Sequence, residues 1–223
     1  MFGIKRESLE VRRGRGTVVA DIAGGVRFES VFHDPVAADG ASAGAYHDDG
    51  TPALFTHHYS GGSTDAFGWY RLRIKTPATF AGKRLYLVFG AVDEDAHIHV
   101  NGAKVFEHSC ASTGLVPNSI WETPFACEVS EFLRPGEEDL LAVGVYNRAG
   151  MGGIYKPVHL VAADADLDLV ALQEQVYSGV NVLPLPAWRF ALDIGKRGID
   201  EKWYATDFDD TAWAPMRTDV HTG

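Results

Sequence analysis

The stretch "GWYRLRIK", residues 68–75, decides the fold. In an extended chain Tyr70, Leu72 and Ile74 fall on one side, and Trp69, Arg71, Arg73 and Lys75 on the other, because side chains alternate across a strand. This period predicts a half-buried strand with one apolar and one wet face. Working outward, "RLYLVFG" (84–90) is nearly all apolar, as a strand buried on both faces would be. "AHIHV" (96–100) alternates again, and Asn101-Gly102 then predicts a two-residue hairpin turn into "AKVFEH". "DLLAVGVYN" (139–147) and "PVHLVAA" (157–163) are further strands.

Turn signals separate them: "TPATFAGK", "VPNSIWETP", "RPGEED" and "RAGMGG". Short strands at this spacing indicate an all-β chain, an antiparallel β-sandwich or jelly roll. Its expected core is Leu72, Ile74, Leu85, Leu87, Phe89, Ile98, Val100, Leu141, Val143 and Leu160. Helical patterning is weak. "LDLVALQEQVY" (167–177) suits a helix, yet "DLDLVAL" within it also alternates as a strand would. Residues 35–66, rich in Gly, Ala, Ser and Asp, read as a long loop excursion, and "SGVNVLPLPA" (178–187) as a linker.

Bulk properties narrow the function. The chain has 223 residues, 46% hydrophobic and 22% charged, enough to bury a core. A net charge of −10 argues against a nucleic-acid partner, which selects a basic face. The basic run "KRESLEVRRGR" (5–15) contains acids and reads as a solvated lead. No apolar run is long enough to span a bilayer, so no membrane partner is expected. The opening residues lack the apolar centre of a secretory signal, which suits a cytoplasmic protein or a piece of a longer, exported polypeptide. Cys110 and Cys127 could pair after export or remain free thiols.

The densest polar motif is "VDEDAHIHVNG" (92–102). Paired carboxylates can serve as acid and base in glycoside cleavage. Asp93, Glu94 and Asp95 are adjacent, however, and do not flank a substrate from opposite sides. The structural expectation is that Asp93 caps the turn while Glu94 and Asp95 are solvated. His97 and His99 share one strand face, a spacing open to zinc but without an obvious third ligand. The acid groups Asp48-Asp49 and Asp207/Asp209/Asp210 lack a complete calcium loop. Asp209-Asp210 more simply cap a turn between Phe208 and Trp213, two expected core anchors. Gly40-Ala41-Ser42-Ala43-Gly44 matches the spacing of a G-x-S-x-G nucleophile motif. It lies within the Gly- and Ala-rich excursion and lacks the strand-then-helix pattern that the motif requires, which leaves a standalone esterase without its main support.

Five ordered elements then carry a resemblance: the WYR strand, the "GAVDEDAHIHVNG" hairpin, "VSEFLRPG" (129–136), "LAV" (141–143) and "GGIYKPV" (152–158). Over residues 67–162 the chain resembles the sugar-binding, galactose-binding-like jelly-roll domain of glycoside hydrolase family 2, found in β-galactosidases and β-glucuronidases. A second segment, "WRFALDIGKRGIDEKWYATDFDDTAWAPMRTD" (188–219), resembles the part that normally opens such a domain, ahead of its WYR strand. The expected organisation is a β-sandwich over residues 1–165, with its N-terminal lead and long loop. Residues 166–223 follow as a linker and the opening of a second, truncated module; the alternative is that they dock back as a circular permutation.

The resemblance implies a non-catalytic carbohydrate-binding or scaffold module of an enzyme acting on β-linked glycosides. Its partners would be carbohydrate and the catalytic domain of the parent hydrolase. The alternative is a purely structural sandwich buttressing a catalytic barrel. Family catalysis uses a glutamate in an Asn-Glu pair on a separate barrel; this chain has no such dipeptide, so no catalytic residue is assigned. No metal or cofactor is expected, with structural calcium left open. In galactose-binding-like folds, loops at one end of the sandwich supply the sugar contacts. In family 2 β-galactosidases the loops before the WYR strand and before the final G-I-Y strand, matching 56–67 and 147–153 here, can face the catalytic barrel. These loops and their flanks point to Tyr59, Trp69, Tyr146, Asn147, Arg148 and Tyr155 as ligand-binding residues, with His57, His58 and Trp121 as neighbours; Trp69, which opens a strand, has the alternative of packing under a neighbouring loop.

Overall fold

A computed structural model describes residues 8–13, 16–21, 25–27, 55–56, 66–148 and 151–218. Strands β1 (Ser8–Arg13), β2 (Gly16–Asp21) and β3 (Gly25–Arg27) form an antiparallel meander of their own. There follow β4 (Phe55–Thr56), β5 (Ala66–Lys75), β6 (Arg84–Phe89), β7 (Val92–Asp93), β8 (Asp95–Val100) and β9 (Ala103–His108). Two short helices, α1 (Cys110–Thr113) and α2 (Pro117–Ile120), lead to β10 (Phe125–Glu128), β11 (Glu138–Asn147), β12 (Met151–Ile154) and β13 (Val158–Ala163). Helix α3 (Leu169–Ser178) precedes β14 (Val182–Pro184), β15 (Ala187–Asp193) and β16 (Ala214–Arg217).

The strands build an all-β antiparallel sandwich. One sheet has the order β16-β15-β5-β11-β8-β9, the other β10-β6-β13-β14, and a small third sheet has the order β4-β12-β7. The inner faces merge into one core containing Tyr70, Leu87, Phe89, Ile98, Leu141, Val143 and Leu160. Of the core expected from alternation, Leu72 alone is only half-buried; the rest are buried. Asn101 (φ 49°) and Gly102 (φ 84°) make the β8–β9 turn, where two successive positive φ values favour Asn and Gly.

Both sheets are also covered on their outer faces, by different means. Asp168 caps α3 by accepting from the Ala171 amide at 2.9 Å, and Gly179 ends the helix at φ 70°. Leu172 of α3 then packs on Tyr86, Val88 and Val161 of the small sheet. The helical reading of 167–177 therefore prevails over the strand reading. The stretch expected as a linker is built into the sheet: Leu183 lies opposite Leu160, and Leu185 is buried.

The cover of the large sheet corrects the sequence expectation. β15 pairs antiparallel with β5, placing Phe190 opposite Tyr70 and Arg189 opposite Arg71. The chain between β15 and β16, residues 194–213, then folds over the outer face of β5 and β8. Trp69 and Arg71, expected on a wet face, are 0% and 1% exposed. The physical reason is a polar clamp. Arg71 Nη1 donates to the carbonyls of Trp203 (2.5 Å) and Ala205 (3.0 Å), and Nη2 to that of Phe208 (3.2 Å). Its Nε pairs with Asp210 at 2.7 Å. The guanidinium also lies over the rings of Phe208 (5.4 Å) and Trp213 (5.9 Å). A buried charge is tolerated because its donors meet fixed acceptors.

Candidate functional site

β11 ends at Asn147 and β12 begins at Met151, and β12 pairs with β7, setting Gly153 opposite Asp93 and Ile154 opposite Val92. This register brings the "VDED" motif and the 146–155 segment to the same end of the sandwich. Arg148 and Asp95 stand 53 positions apart along the chain, yet the two motifs are one place in the structure. Arg148 stitches them together. Its Nη1 donates to Glu94 Oε2 at 3.2 Å, its Nη2 pairs with Asp95 Oδ2, and its backbone amide donates to Glu94 Oε2 at 2.9 Å. Glu94 and Asp95 are consequently buried, not solvated as expected. Asp95 also accepts from the Cys110 amide at 3.1 Å, which ties α1 to the same cluster.

Asp93 has a different environment. Burial, reinforced by the charge of Glu94, pushes its carboxyl up to about 7. Near neutral pH it therefore exists partly as an acid able to donate a hydrogen bond. Burial, with the charges of Asp93 and Glu122, likewise pushes Tyr155 up to about 12. Tyr155 is half-exposed, and its hydroxyl donates to the carbonyl of Trp121 at 2.9 Å. The Tyr155 and Trp121 rings stand 6.0 Å apart at 31°, and Trp121 is 39% exposed. Lys156 Nζ lies 5.4 Å from the Tyr155 ring centroid.

The expected ligand residues divide accordingly. Tyr155 stands in the aromatic pair, and Arg148 in the carboxylate cluster. Tyr146 is half-buried between two cations, with Arg148 at 5.4 Å and Lys196 Nζ at 5.1 Å from its ring. Asn147 is fully buried, its side chain filling the space where Gly152 lacks a Cβ. Trp69 is corrected from a ligand-facing ring to a packing residue. Its Nε1 donates to Asp193 at 3.3 Å, and it sits under Gly198 and Tyr204. Tyr59, His57 and His58 lie outside the described residues. Among the described residues Trp121, a secondary candidate, is the most exposed ring of this end. Its only sequence signal was a tryptophan in a Pro- and Asn-containing turn.

His99 and His108 take packing roles. His99 stacks on Tyr204 at 4.4 Å, and burial pushes it down to about 4. His108 stacks on Phe125 at 4.0 Å. Among the described residues no three His, Cys, Asp or Glu side chains converge as metal ligands. Cys110 and Cys127 are free thiols, and burial pushes Cys127 up to about 12.

No family model matches the chain. It is 31% identical over 122 residues to a β-galactosidase of Thermoanaerobacter pseudethanolicus, a match covering 48% of this chain and 15% of that protein. It is 30% identical over 82 residues to a β-glucuronidase of Formosa agariphila, covering 37% and 7%. These relatives are glycosidases. The chain spans a small part of the curated relatives it matches. Among solved structures, a Ruminococcus gnavus β-glucuronidase aligns with 50% of this chain and 22% of its own at 15% identity and TM-score 0.40. A Lactobacillus rhamnosus β-glucuronidase aligns with 50% and 22% at 23% identity and TM-score 0.39.

Proposed function

We propose that this chain is a non-catalytic, carbohydrate-binding module of a larger glycoside hydrolase of the family 2 type, acting on β-linked glycosides. Its partner is the catalytic domain of that enzyme. The similarity of part of the chain to a β-galactosidase and a β-glucuronidase supports the parent. Residues 187–218, paired through β15 with β5, are read as the closing part of this same module.

The observation that carries the binding role is the Trp121–Tyr155 ring pair beside the Arg148 cluster. Ring faces stack on sugar C–H faces, and the half-buried Asp93 carboxyl supplies a polar group next to them. Burying one ring face at about 25 cal/mol per Å² contributes about 1–2 kcal/mol, so binding is weak and rests on few contacts. Glu94 and Asp95 are committed to Arg148, and the site is read as one that binds rather than hydrolyses.

Titration of the chain against methyl β-galactoside and methyl β-glucuronide tests the reading, with thermal melts as control. Trp121→Ala and Tyr155→Ala should each abolish detectable binding and leave the melt unchanged. Binding that persists in both variants, or is missing in the unaltered chain, overturns it in favour of a purely structural sandwich that buttresses a catalytic domain.

A further inference from the structure

The opposite end of the sandwich carries a cleft of about 530 Å³, within the roughly 300–1,000 Å³ of small-ligand sites. Chain segments far apart in sequence build it. Arg73 comes from β5, Asn101 from the β8–β9 turn, Glu131 and Arg134 from the β10–β11 connection, and Glu138 from β11. Phe132 and Leu140 supply apolar surface, and Thr206 comes from the 194–213 excursion. The cleft is therefore complete only with the C-terminal segment docked on the sheet.

A locked network lies beneath it. Asn101 Nδ2 donates to Asp139 (2.8 Å) and to the Phe132 carbonyl (2.9 Å), while its Oδ1 accepts from the Leu140 amide (2.9 Å). Asp139, fully buried, also accepts from Arg134 Nε at 3.0 Å and from the Arg134 amide at 2.9 Å. The lining is thus held in place before any ligand arrives. The rim, in contrast, keeps capacity. Arg73 is half-exposed, donates to the Thr206 carbonyl at 3.0 Å, and stands 3.8 Å from Glu138. Arg73 and Arg134 face Glu131 and Glu138, and Arg134 is also engaged by Asp139 at 3.0 Å and Glu137 at 3.1 Å. Acids thus outnumber bases at the cleft, which selects against anionic ligands. Planar donors and planar acceptors beside an aromatic ring match vicinal hydroxyl groups, which accept from guanidinium and donate to carboxylate.

We propose that this cleft binds a neutral saccharide of one or two rings, a second site separate from the Trp121–Tyr155 end. Amide NMR spectra of the full chain, titrated with lactose, cellobiose and xylobiose, test it, with methyl β-glucuronide as the anionic comparator. At least one neutral disaccharide should shift the amides of Phe132, Leu140 and Thr206. Arg73→Ala and Glu131→Gln should each weaken that binding tenfold or more without changing the melt, and Trp121→Ala should leave it intact. Silence of these amides toward all three disaccharides overturns the proposal, as do shifts indifferent to both variants or a stronger response to the glucuronide. Shifts confined to Trp121 and Tyr155 sink this site and spare the other; shifts confined to the cleft do the reverse.

Discussion

The two sheets of this sandwich are covered on their outer faces by opposite chemistries. α3 covers the small sheet with apolar side chains, Leu172 packing on Tyr86, Val88 and Val161. The 194–213 excursion is anchored on the large sheet by polar groups, three backbone carbonyls and Asp210 gathered round Arg71, with Tyr204 stacked on His99 beside them. An apolar cover tolerates small changes in position, because dispersion and hydrophobic burial are non-directional. A polar cover is held by geometry. Each donor lost leaves a buried acceptor unpaired, so the failure should be steep and local.

The sharpest way to break this comparison is Arg71→Ala. Removing one partner of a buried ion pair typically costs about 3–5 kcal/mol, and here it also takes the guanidinium donor from the Trp203 and Phe208 carbonyls. Chemical denaturation should show that loss, and hydrogen exchange should show protection vanishing over 194–213 while β6 and β13 keep theirs. Arg71→Lys should fail to rescue, since one ammonium cannot serve the same fork of acceptors. Uniform loss of protection across both sheets would contradict the idea of a separately held cover.

On the other side, Leu172→Ala should cost about 2–3 kcal/mol through lost burial and a residual cavity. Its effect should spread through α3 and β13 and leave the excursion protected. Melts combined with exchange rates at Trp203 and Ala205 separate the two cases.

Gly198→Ala is a milder test of the polar cover. A Cβ there would stand 2.3 Å from Trp69 Nε1 and 2.9 Å from Asp193 Oδ2. The excursion must shift to admit it, at a cost of about 1–3 kcal/mol, read as a lower melting temperature and a more solvent-exposed tryptophan emission. An unchanged melt would mean that the excursion is not seated on Trp69.

The smallest effects are two pH slopes of opposite sign. His99, under Tyr204, is held down to about 4 from an ordinary 6.5. Its contribution to stability is full above pH 6.5 and is lost as pH falls through that value toward 4. Asp93 is held up to about 7 from 3.8. Its contribution is present below pH 3.8 and is lost as pH rises through about 7. His99→Phe should flatten the acid limb of a stability–pH curve, and Asp93→Asn the neutral limb. Identical curves for all three proteins would show that neither group titrates differently on folding.

How much was legible in the sequence follows from the same contrast. "RLYLVF" announces a strand buried on both faces, and α3 supplies the second cover. Asn101-Gly102 announces its turn. In "WYRLRI", alternation identifies the strand and its inner face correctly, yet Arg71 looks like any solvent-facing arginine. The acids of "VDED" look solvated for the same reason: nothing near them in sequence shows Arg148, which arrives through the β7–β12 register. Trp69 looked like a ligand ring because aromatic identity is visible in a sequence and burial of a particular face is not.

By itself, then, the sequence determined the local periods of the central strands β5, β6, β8, β11 and β13, the β8–β9 turn and most of the inner core, since these depend on neighbours two to four residues away. The basic run read as a solvated lead contains a strand, Ser8–Arg13, and the stretch read as a linker another, Val182–Pro184. Tertiary structure alone decided that residues 187–218 cover the WYR strand, that an arginine 139 positions from Asp210 is buried against it, and that Arg148 joins Glu94 and Asp95. Those outcomes depend on long-range partners. Whether a charged side chain is solvated or clamped is set by acceptors that the chain brings from far away, and local alternation carries no record of them.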